Sequence, residues 1–81
     1  MRERGFGERL RRYRLATGLT QEQLAERSGL SARGISDLER GARGVPRKDT
    51  LHLLLQALDL PQEDREALVA AARRPVAAAD G

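Results

Sequence analysis

The chain has no cysteine, no tryptophan, a single histidine and only two aromatic residues, Phe6 and Tyr13. Without cysteine there is no disulfide and no thiolate metal ligand, and one histidine alone does not make a zinc site. Two aromatics do not make a stacking platform for single-stranded nucleic acid, so both are read as core. No apolar run reaches the roughly 20 residues of a membrane span. The opening Met-Arg-Glu-Arg-Gly lacks the apolar stretch of a secretory signal. There is no glycine-rich phosphate loop, and no motif sets a histidine base beside Ser28, Ser31 or Ser36. His52 reads as a solvated residue beside a leucine stripe. The reading is therefore a non-enzyme with no cofactor and no metal, in the cytoplasm. At 81 residues it forms one small domain with a thin core.

Charge is present in quantity but nearly balanced: 15 Lys and Arg against 12 Asp and Glu, a net +3. That total does not by itself argue for nucleic acid. Its distribution says more. Residues 40–48 carry Arg40, Arg43, Arg47 and Lys48 with no acid. Residues 2–14 carry Arg2, Arg4, Arg9, Arg11, Arg12 and Arg14 against Glu3 and Glu8. Residues 59–66 carry Asp59, Glu63, Asp64 and Glu66 against Arg65. Such polarity orients a molecule in the field of a polyanion. The positive charge is almost all arginine, which suits two-pronged contacts to phosphate and guanine.

The periodicity predicts an all-α chain of five helices. Helix 1 is expected over Gly7 to Thr17, with Phe6, Leu10 and Tyr13 on one face and Gly18 as its stop. Helix 2 is expected over Gln21 to Ser28, where Thr20 and Gln23 have the spacing of a capping box. Helix 3 is expected over Ala32 to Arg40, capped by Ser31 and closed by Gly41. A loop from Ala42 to Arg47 follows. Helix 4 starts at Lys48 or Asp49 and ends at Leu58, with Leu51, Leu54, Leu55 and Leu58 in an i, i+3, i+4, i+7 stripe. Helix 5 opens near Pro61, in its first turn, and ends before Pro75. Gln62, Glu63 and Asp64 suit the positive end of its dipole. Leu68, Val69 and Ala72 give it an apolar stripe. The domain is drawn at residues 1–73, with 74–81 as a tail or the start of a linker.

Helices 2 and 3 carry the functional signal. Ala25 is small where the two must approach, and Gly29 suits a turn needing positive φ. Ile35 and Leu38 share one face and pack back on Leu24. Two helices joined in this way present the outer face of the second, the arrangement of a helix-turn-helix. The residues Thr20, Gln21, Leu24, Ala25, Gly29, Ser31, Ile35, Ser36, Leu38, Glu39 and Gly41 resemble the phage-repressor-like (XRE-type) helix-turn-helix family. The resemblance extends to Leu10, Arg14, Gly18 and Leu19 upstream and to Thr50, Leu51, Leu54, Leu58 and Leu60 downstream. It covers roughly residues 5 to 60.

The resemblance implies a compact five-helix DNA-binding domain with helix 3 in the major groove of double-stranded DNA. It makes Ala32, Arg33, Ser36 and Asp37 the base-edge positions. Arg33 is suited to guanine O6 and N7, while Asp37 either accepts from a cytosine amine or holds Arg33 one turn away. The phosphate positions are Thr20, Gln21, Ser31, Arg40, Arg43 and Arg47, with Arg43 or Arg47 also suited to an adjacent minor groove. Arg14 and Glu39 match a partly buried ion pair that ties helix 1 to helix 3. Gly34, inside helix 3, is at odds with helix propensity. Leu15 and Leu53 fit no core stripe; with helix 5 they are a candidate face for a homodimer, the alternative being an effector domain that sets the assembly. The expected function is sequence-specific DNA binding by a bacterial transcription regulator associated with the nucleoid. The alternatives are the antitoxin of a toxin–antitoxin pair and a protein-interaction module on the same scaffold.

Overall fold

The computed structural model describes residues 5–41 and 45–73. Its helices are α1 (Phe6–Ala16), α2 (Gln21–Ser28), α3 (Ala32–Arg40), α4 (Lys48–Leu58) and α5 (Gln62–Arg73). Among the described residues there is no strand. The five-helix expectation holds, with small shifts at the ends. Helix α1 closes at Ala16, one residue early, because Gly18 turns into the left-handed region at φ 76° and its amide donates back to the Leu15 carbonyl. Pro61 stands just before α5 and not within its first turn. Its carbonyl accepts from the Asp64 and Arg65 amides and so opens the helix.

Local chemistry sets the other ends. The Thr20 hydroxyl accepts from the Gln23 amide at 3.0 Å, and the Gln23 side chain accepts from the Thr20 amide at 2.9 Å. Both halves of the capping box are therefore made, satisfying two amides at the helix start. Gly29 ends α2 in the left-handed region at φ 81°, a conformation that costs glycine little. Asp59 ends α4 the same way at φ 51°. It is the only non-glycine residue with positive φ among those described, and aspartate tolerates that region better than most.

Every helix supplies at least one fully buried side chain: Leu10, Leu24, Ile35, Leu54, Leu58 and Leu68. Burying a leucine or isoleucine contributes about 1.5–3 kcal/mol, so these six are the main source of cohesion in a small domain. Phe6 is buried in the same cluster, whereas Tyr13 only packs against its edge. Helix α3 docks on α1 and α2, while the principal contacts of α5 are with α1 and α4. The C-terminal helix therefore leaves the outer side of α3 uncovered, and Arg33 and Arg40 stay exposed. The expected stop at Pro75 and the tail of residues 74–81 lie outside the described residues.

Candidate nucleic-acid interface

Helix α3 has nine residues and spans about 14 Å. Ile35 is fully buried and Leu38 nearly so, which fixes the inner face. The opposite face carries Arg33 and Arg40, both exposed, with Ser36 and Asp37 half-buried beside them. Ala32 is half-buried and packs partly against the core. Among the described residues Arg33 has no ion-pair partner, so its guanidinium is available. The sequence left open whether Asp37 holds Arg33. Its described ion pair is with Arg40, three residues on, at 2.8 Å.

The caps of α2 and α3 lie on exposed residues. The Ser31 hydroxyl accepts from the Gly34 amide at 3.0 Å. A hydroxyl that accepts one hydrogen bond still has its own hydrogen to donate, so Thr20 and Ser31 can serve as caps and as donors together. Arg47, exposed, is the residue before α4. Arg43 falls in residues 42–44, outside those described.

The inner end of α3 is built differently. Glu39, with its side chain only 3% exposed, receives Arg14 Nε on Oε2 at 2.6 Å and Arg14 Nη2 on Oε1 at 3.0 Å. The remaining Arg14 nitrogen, Nη1, donates to the Leu19 carbonyl at 2.9 Å. The guanidinium thus spans α1, the turn before α2 and α3. Its hydrogen bond to Glu39 outweighs the effect of burial and raises the Arg14 pKa above its ordinary value. A raised pKa on a base stabilises the fold at every pH below the ordinary arginine value, and that contribution is lost only in strong alkali.

Two features of this end are not visible in the sequence pattern. Gln21 Nε2 donates to Glu39 Oε1 at 3.0 Å, so Gln21 joins the ion-pair network. It keeps a second amide hydrogen free for another acceptor. Gly7 packs against the last turn of α3 so closely that a Cβ there would stand 2.7 Å from the Glu39 carbonyl oxygen. The available signal was that Gly7 shares a helical face with Leu10 and Arg14. A glycine on a buried stripe marks a close backbone approach.

Comparison with known proteins follows the same lines. A family model described as a helix-turn-helix domain matches residues 6–68. The HTH-type transcriptional repressor RghR of Bacillus subtilis is 52% identical over 58 residues, 72% of this chain and 43% of that protein. An uncharacterized HTH-type transcriptional regulator of Sinorhizobium fredii, y4dJ, is 48% identical over 52 residues, 64% of this chain and 66% of that one. The chain spans less than half the length of RghR and of its B. subtilis counterpart RghRB. Among solved structures, the clp gene regulator ClgR from C. glutamicum is similar at a TM-score of 0.69 with 31% identity, over 88% of this chain and 91% of that one. A mutant of the restriction–modification controller protein C.Esp1396I is similar at 0.69 with 30% identity, over 80% and 84%. Among the described residues no helix is long and apolar enough to cross a membrane.

Proposed function

The chain belongs to the helix-turn-helix domain family, and from that premise we propose that it binds double-stranded DNA as the reading part of a transcription regulator. The observation that carries the proposal is the outer face of α3. It exposes Arg33 and Arg40 on a helix whose other face is locked into the core. A helix of this size fits the major groove, about 12 Å wide. Arg33 donates to guanine, and Ser36, Asp37 and Ala32 stand beside it on the base edges. Gln21, Thr20, Ser31, Arg40, Arg43 and Arg47 position the backbone, a role that carries no sequence information.

The relatives are named as regulators and a repressor, so the antitoxin reading is not carried further. A homodimer through α5 belongs to the same proposal. Two copies would set two α3 helices on half-sites about one helical turn apart. Sedimentation equilibrium with a duplex separates one bound copy from two.

The test is the salt dependence of binding to duplex DNA. Each phosphate neutralised contributes about −0.9 to the slope of log K against log salt, so four contacts give about −4. No affinity for any duplex at low salt would favour a protein-interaction module and contradict the proposal.

A further inference from the structure

Resting on that reading, we propose that Gly7 is a positioning residue for DNA recognition: the missing side chain sets how far α3 stands from α1, and so where Arg33 meets the bases. Gly7 is buried in the first turn of α1, facing the last turn of α3. A Cβ at this site would lie 2.7 Å from the Glu39 carbonyl oxygen and 3.0 Å from its carbonyl carbon, and closer still to the Leu38 carbonyl oxygen. A close carbon–oxygen contact needs about 3.3–3.6 Å. The opposing atoms are backbone and cannot rotate aside, so a methyl group here moves α3 away from α1 by roughly an ångström.

The contact is one half of a two-point clamp. Two helical turns further along α1, Arg14 grips the Glu39 carboxylate. Gly7 thus meets the backbone of the residue whose side chain Arg14 holds. The positive end of α1 also faces the negative end of α3, which favours the approach. Both points act on the C-terminal turn of α3. Displacing it tilts the helix as a rigid body and carries Arg33 with it. Hydrogen bonds to base edges need donor–acceptor distances of about 2.7–3.2 Å, a window narrower than the displacement.

The test uses the full chain, Gly7→Ala, and Gly5→Ala as the control. Gly5 has nothing within 4 Å of an added Cβ. The probes are a duplex that the wild-type protein enriches from a random library and a scrambled duplex of the same composition. Binding is read at low temperature on protein of wild-type helix content, with trimethylamine N-oxide added to hold the variant folded. Gly7→Ala is expected to lower the ratio of enriched to scrambled affinity at least tenfold, and Gly5→Ala to leave it within twofold. A folded Gly7→Ala that keeps the wild-type ratio overturns the proposal. In the free protein, amide chemical shifts of Gly7→Ala should move as far along α3 as Ala32–Asp37. Shifts confined to residues 38–41 would mean a local packing role and would also overturn it. If the wild type binds neither duplex at low salt, the DNA-binding reading fails, while the free-protein spectra still decide the role of Gly7.

Discussion

The two ends of α3 are held by different means. Its C-terminal turn is gripped by other helices: Gly7 against its carbonyls, Arg14 and Gln21 on Glu39. Its N-terminal turn is held by the buried Ile35 and by its own cap, Ser31 on the Gly34 amide, and leaves Arg33 exposed. One end is clamped by an ion pair and a close backbone approach from other helices, and the other presents its outer side. The arrangement separates what keeps the helix in place from what the helix displays. Residues at the first end should govern stability and the pose of the helix, and residues at the second should govern the contacts it makes with the bases.

That contrast is most severely tested at Glu39. Glu39→Ala leaves Arg14 buried without its partner, which should cost about 3–5 kcal/mol in urea unfolding, with DNA binding lost alongside. Replacing both partners, Arg14→Met with Glu39→Leu, should recover most of that loss, because burying a charge pair has its own cost. A fully stable Glu39→Ala would mean that the inner end is not the anchor. At the presented end, Arg33→Ala should leave stability within about 0.5 kcal/mol of wild type. It should instead relax preference at one base pair by about 1–3 kcal/mol in a binding selection. Ser31→Ala removes only the cap and should cost about 1 kcal/mol in thermal unfolding. Arg47→Ala should weaken all duplexes alike and lower the salt slope by about 0.9. The smallest effect on stability belongs to Arg40→Ala, whose loss on DNA should resemble that of Arg47→Ala, since its pair with Asp37 is two-thirds exposed on the arginine side. Its loss should change stability by no more than about 0.5 kcal/mol.

What the sequence made legible follows the same division. The Thr20–Gln23 box, the Ser31 cap, the stops at Gly29 and Gly41 and the leucine stripe of α4 were all readable. Each depends on residues within a turn or two of one another. The Arg14–Glu39 pair was reached through family resemblance and is present as a bidentate contact. The bond from Gln21 to Glu39 and the approach of Gly7 to α3 were not read. They join residues far apart in the chain; the stripe of Gly7, Leu10 and Arg14 marks a close approach without naming the partner, and no local rule links Gln21 to Glu39. In the sequence Asp59 stands out only as an acid, yet its backbone ends α4 in a conformation normally left to glycine. On the interface, the exposed placement of Arg33 was legible from helix periodicity. The choice of Arg40 as a partner of Asp37 was not, because i, i+3 and i, i+4 neighbours compete on one helical face.

The most direct test of the division is to map amide chemical-shift changes as duplex DNA enriched from a random library is added to the labelled protein. The outward positions of α3, Arg33, Ser36, Asp37 and Arg40, should move most, together with the amides at the start of α2. Changes centred on the outer face of α5, with α3 unmoved, would contradict the account.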